Sequence, residues 1–127
     1  METEKCTWQR TNNPLFIEAR KAGKNIRICD GDDPNSKYIA VYCSSNGIYF
    51  PNDDETFTKR IVNQDKYDWK SNRIAGVKKH IYIRDIYKQW YVNGINDETN
   101  SVDKTAQLIK SVGDENTVYV FLGSSAG

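Results

Sequence analysis

Apolar and polar positions along the chain divide it into short strand-like and helix-like runs. Residues 38–43 (YIAVYC) form a continuous apolar run of strand length. Such a run suits a strand covered on both faces, as in a parallel sheet. Residues 80–84 and 117–122 are the next two strand-like runs, the second rich in β-branched and aromatic residues. Residues 25–29 alternate polar and apolar, as a half-buried strand does. Residues 15–20 read as a strand too. The turn Lys21-Ala22-Gly23-Lys24 lies between these last two runs, which predicts an antiparallel hairpin. Residues 7–10 add a further short strand.

Helical spacing is clearest over residues 102–112. Val102, Ala106 and Ile109, with Leu108 and Val112, make an apolar stripe. Ser101 can cap this helix, and Gly113 can close it in the left-handed conformation. A shorter helix is predicted over 53–62, with Asp53 as its cap and Phe57 and Ile61 on one face. Residues 85–92 read as a third short helix ended by Asn93 and Gly94. Residues 63–79 are polar and mixed, with Tyr67 and Trp69 expected to tuck a loop onto the body. Residues 30–36 are dense in turn formers; their acids lack the ligand spacing of a calcium loop, so a solvated turn is expected. The alternation of strands and helices, with long crossovers, implies an α/β fold. The expected architecture is a mostly parallel sheet with an N-terminal antiparallel hairpin, in one domain. Residues 1–36 form its hairpin region and residues 37–127 its core.

The chemistry sits at strand ends. Residues 123–127 read G-S-S-A-G directly after the strand at 117–122. This G-x-S-x-G pattern, placed after a strand, points to a nucleophile elbow, a tight strand-to-helix turn that presents a serine hydroxyl; the competing reading is a flexible Gly/Ser-rich tail. Glycines flank the serine because a Cβ there would clash. Two other polar clusters, 44–47 and 84–87, lie at predicted carboxyl ends, where open parallel sheets build their sites. Tyr87, Trp90 and Tyr91 could line such a site as an aromatic platform, or simply pack.

Composition narrows the classes. Lys and Arg number 18 against 17 Asp and Glu, a net charge of +1, which gives no electrostatic case for nucleic acid. No run approaches the ~20 apolar residues of a membrane helix, and no apolar signal core follows Met1. The three cysteines, Cys6, Cys29 and Cys43, have no C-x-x-C spacing. The lack of that spacing argues against a zinc site, and the odd count against a disulfide framework. A reduced cytoplasmic setting is expected, with no metal and no cofactor.

Over residues 37–127 the chain resembles the α/β-hydrolase superfamily. Residues 39–42 resemble the strand whose following loop donates part of the oxyanion hole. Strand 117–122 with its G-x-S-x-G resembles the nucleophile strand and elbow. Residues 83–91, with the elbow, are also similar to hydrolase-like proteins of bacterial surface-polysaccharide loci. The resemblance implies Ser125 as nucleophile and the Ala126 N–H as one oxyanion donor. The second donor would be Ser45 or Asn46. From its place at a predicted strand end, Asp85 could bind substrate, a small-molecule or glycan ester, or serve in an ordinary ion pair or helix cap; Tyr87 and Trp90 could contact the same substrate. In this family the acid and histidine follow the serine. The single histidine, His80, begins a strand, roughly 17 Å from its far end for five residues. It is expected to be structural or at the surface. The chain is therefore expected to be the N-terminal part of a serine esterase or acyltransferase, inactive alone. Its bare elbow strand would associate with a C-terminal part or a second copy. The alternative is a non-catalytic module that binds a glycan or a protein partner.

Overall fold

The computed structural model describes residues 13–51, 53–71 and 73–123. The predicted strand at 7–10, Cys6 and the residues of the terminal motif after Gly123 lie outside them. The elements are α1 (Pro14–Ala19), β1 (Ile26–Asp30), β2 (Tyr38–Cys43), α2 (Asp54–Phe57, continued by wider π turns over Thr58–Asn63), β3 (Lys79–Ile83), α3 (Val102–Lys110) and β4 (Val118–Gly123).

The four strands make one sheet in the order β1-β3-β2-β4. β2 runs parallel to β3 on one side and to β4 on the other, while β1 is antiparallel to β3. The chain is thus a small α/β fold with a mixed sheet. The apolar run of β2 explains its central place. All its residues but Tyr38 are buried, so both faces need cover. On one face Ile39, Val41 and Cys43 pack with Ile81, Ile83 and Ile109 of α3. On the other, Ala40 and Tyr42 pack with Tyr82, Tyr67 and Val77. The Tyr42 and Tyr82 rings stack with centroids 4.7 Å apart. A third cluster lies between α1, α2 and the segments after β2 and β3, around Phe16, Ile48, Tyr49, Phe57 and Ile86.

Three expectations are corrected. Residues 15–20 are helical, so the N-terminal hairpin does not form. Asn13 accepts the Leu15 N–H and Pro14 occupies the first helical position, a start signal stronger than the apolar run it precedes. The buried pair is Phe16 and Arg20, at helical spacing. β1 instead finds its antiparallel partner in β3, pairing Ile26 with Ile83. Residues 85–92 form no helix: Lys88, Trp90 and Tyr91 are left-handed. Gly113 does not adopt a left-handed conformation. Its lack of a side chain admits Thr117 Oγ1 and the Tyr119 hydroxyl, which an added Cβ would meet at 2.5 and 2.7 Å.

Gly94 combines a left-handed backbone with a close approach of another segment's backbone. It is left-handed (φ +65°), and a Cβ there would lie 2.0 Å from the Thr99 carbonyl oxygen. Backbone, unlike a side-chain end, cannot swing away. Gly94→Ala is expected to cost about 2–4 kcal/mol, combining positive-φ strain with overpacking. Thermal unfolding should show a midpoint lowered by roughly 10 °C or more. An unchanged midpoint would contradict this close approach.

Candidate functional site

The strand order reverses about β2: β3 lies on one side and the next strand, β4, on the other. The three parallel strands end level, with Cys43 paired to Ile83 and to Gly123. Ligands of open α/β sheets bind outside the carboxyl ends of strands, where the order reverses. The polar segments after Cys43 and Ile83 and the end of β4 therefore meet at one end of the sheet. Ser125 and Ala126 lie outside the described residues, and the structure carries no information on their geometry.

The loop after β2 is clamped by side chains. The Ser44 N–H donates to the Ile83 carbonyl at 3.0 Å, extending the ladder. The Asp68 N–H donates to Ser44 Oγ at 2.9 Å. Ser45 donates both its N–H and its hydroxyl to Asp68 Oδ2, each at 2.9 Å. Ser45 Oγ in turn accepts the Gly47 N–H. A short helical turn, Asn46–Ile48, follows. The consequence separates the two expected oxyanion donors. Ser45's N–H is spent on a carboxylate, whereas the Asn46 N–H has no acceptor among the described residues. Asp68 escaped sequence reasoning because its partners lie more than 20 residues away.

The segment after β3 is built around two buried charges. Arg84 donates to Asn25 Oδ1 and the Lys66 carbonyl, pairs with Asp65 at 2.9 Å, and lies over the Tyr67 ring. Asp65 also pairs with Arg27. Burial would raise the Asp65 carboxyl, but the two guanidiniums outweigh it and hold the group below its usual range. Asp85 is buried and accepts the N–H groups of Tyr87, Gln89 and Tyr91, each at 2.9 Å. This carboxylate takes the place of a helix ladder and explains the irregular backbone of residues 85–92. Its known contacts are thus with its own loop. Tyr87 meets Phe16 edge-on beneath Arg20, a packing role. Trp90 is 65 % exposed. For Tyr91 the sequence suggests an aromatic platform or packing, and not a bond made by its hydroxyl. Its hydroxyl is shared between the Ser44 and Ile83 carbonyls, tying the ends of β2 and β3 together. Burial pushes that phenol far above its ordinary pKa.

His80, the single histidine, does not stand at these strand ends. His80 pairs with Ala40 in mid-sheet, three residues before the end of β3, or roughly 10 Å along the strand. It is buried, and its Nδ1 lies 2.8 Å from the Tyr42 hydroxyl, which accepts the Ile74 N–H. Burial, aided by Arg73, lowers its pKa, as befits a neutral core ring. Cys43, at the end of β2, is no nucleophile near neutrality because burial pushes its thiol up to about 11. Beside these strand ends lies an apolar hollow of about 250 Å³, between Cys43, Ile83, Tyr91, Ile109 and Phe121. Among the described residues no three His, Cys, Asp or Glu side chains are grouped to hold a metal ion, and no helix is long and apolar enough to cross a membrane.

No protein-family model, curated protein or solved structure matches the chain.

Two measurements check this description. Asp85→Ala strands three N–H groups in a buried loop and is expected to destabilise by about 3 kcal/mol, whereas Trp90→Ala changes stability by less than about 0.5 kcal/mol. Chemical denaturation that ranks them the other way would refute the structural role of Asp85. His80 binds its proton near 6.5 when unfolded and only at lower pH when folded. The unfolded state therefore holds more protons below pH 6.5, and stability falls as pH drops through and below that value. A His80→Gln variant should lose this part of the pH dependence between pH 7 and 5.

Proposed function

We propose that these residues take part in a serine-dependent hydrolase or acyltransferase activity on an ester. The observation that carries this reading is the pairing of Cys43 with Gly123. It brings the loop after β2 beside the strand that runs into the G-x-S-x-G motif. A serine nucleophile needs N–H donors at the oxygen where charge develops, and the Asn46 N–H, which has no acceptor among the described residues, is the candidate this loop offers. In this chemistry Ser125 Oγ bonds to the acyl carbon while its proton passes to a base. The ester C–O bond then breaks, and the alcohol leaves with that proton. Water or an acceptor hydroxyl releases the acyl group in the reverse sense. The base is not His80, which Tyr42 holds within the sheet.

β4 supports the same reading from another direction. It carries no charged residue and no proline, its outer edge is unpaired among the described residues, and Phe121 is 59 % exposed. Soluble edge strands are usually blunted by charge or proline. An unblunted one fits a strand to which further structure adds. The remoteness of His80 favours a second reading, a non-catalytic module that binds a glycan or protein partner.

The full-length protein treated with a fluorophosphonate probe separates the two. The enzyme reading expects covalent labelling that disappears in Ser125→Ala. Labelling undiminished in that variant, or no labelling of the parent, would sink it; the second outcome favours the binding module.

A further inference from the structure

The geometry points to a binding site for a small organic carboxylate in the cavity between α1, the start of β1 and the π turns that continue α2. The cavity lies at the β1 edge of the sheet, with β3 and β2 between it and β4. Its volume is about 370 Å³, at the lower end of the roughly 300–1,000 Å³ typical of small-molecule sites. Its walls divide by chemistry. Leu15, Ile26, Ile61 and Val62 form an apolar side, and Leu15 and Val62 are left exposed, at 42 % and 40 %. Arg27, Arg84, Asp65 and Tyr67 form a polar one.

The guanidiniums select an anion. Arg84 is buried and fixed in place. Its Nε donates to Asn25 Oδ1, its Nη1 donates to the Lys66 carbonyl and pairs with Asp65, and its plane lies 4.3 Å from the Tyr67 ring centroid. Asn25 is itself buried, and its amide nitrogen donates to the Ala19 and Ile95 carbonyls while its oxygen holds Arg84. Its backbone is left-handed (φ +69°), and so is that of Asp65 (φ +50°) on the same cavity. Such sparsely populated conformations cluster at ligand clamps. Arg27 gives Asp65 its Nη2 and is half exposed, so the rest of its fork is open to a ligand. One carboxylate thus stands between two guanidiniums. Around the whole cavity Lys24, Arg27 and Arg84 face Glu18 and Asp65, which leaves one positive charge over. Glu18 also turns to Lys21, at 3.4 Å. A ligand carboxylate supplies the missing negative charge, and a guanidinium fork can take it in two parallel bonds. A phosphate dianion would set excess charge against Asp65 and leave the apolar side uncovered. That side selects the body of the ligand, a compact apolar group.

The test is calorimetric titration of the full-length protein with phenylacetate, a carboxylate on a compact apolar ring. Phenylacetate should bind saturably, and phenylacetamide, its neutral counterpart, should not bind. Inorganic phosphate should bind more weakly than phenylacetate. Arg27→Gln should weaken phenylacetate binding about 10-fold, the loss of one charge-assisted contact. Asp65→Asn should tighten it about 10-fold, because the competing carboxylate is gone while asparagine tolerates the left-handed backbone. A purely structural Asp65 predicts no such gain. Absence of saturable phenylacetate binding overturns the site, as does equal binding of the amide or parental affinity in Arg27→Gln. Phosphate binding tighter than phenylacetate overturns the ligand class, and a folded Asp65→Asn that binds no tighter overturns the competition. Where Asp65→Asn does not fold, Arg27→Gln, at a half-exposed position, decides.

Discussion

Burial of β2 on both faces is the constraint on which the other elements depend. Its run of apolar side chains can be covered only if a strand lies on each edge and a packed layer on each face. β3 and β4 supply the edges. α3 covers the face of Ile39 and Val41, and the Tyr67 and Val77 segment covers the face of Tyr42. Each fully buried Ile or Tyr here contributes on the order of 2–3 kcal/mol, so the strand dominates the core. Because β2 is central and parallel to both neighbours, three carboxyl ends are brought level at Cys43, Ile83 and Gly123. The candidate site is a geometric consequence of the core.

Polar side chains finish what burial begins. Where the strands stop, N–H and carbonyl groups lose their ladder partners and must find others. Asp68 answers for Ser45, Asp85 for three N–H groups, Arg84 for the Lys66 carbonyl, and Tyr91 for two carbonyls at once. Each of these groups looks like catalytic material in isolation. Most are occupied by backbone, which is why a strand end rich in charge offers so few free groups. The Asn46 N–H stands out by having none of these partners among the described residues.

The elements legible in the sequence are those decided by local pattern. The runs of β2, β3 and β4 follow from apolar content, and α2 and α3 from caps at Asp53 and Ser101 joined to helical spacing. Failures came where one local signal overrode another or where the partner was distant. In α1 the Asn13–Pro14 start outweighed an apolar run that resembled a strand. At 85–92 a single carboxylate bent a helix-like sequence into a loop. The pairing of β1 with β3, the Asp68 clamp and the double contact of Tyr91 join residues far apart, and periodicity holds no trace of such contacts. Of the site, the meeting of strand ends was legible because topology rules fix it; which N–H remained available was not.

The connectivity of β4 bears on which part of the sheet is weakest. Tyr38 pairs with Val118 across about 80 residues, while the β2–β3 pairing spans about 40. Doubling a loop adds only about 0.6 kcal/mol of closure entropy. That is less than the ~1.5 kcal/mol or more gained by burying one large apolar side chain. The long crossover is therefore a minor handicap. The half-buried flanks of β4 matter more: exposed Val118 and Phe121 forgo burial that β2 enjoys along its length. Amide exchange should consequently be graded across the sheet by cover, slowest in β2 and faster in the edge strands β1 and β4, rather than by how far apart in sequence the paired strands lie.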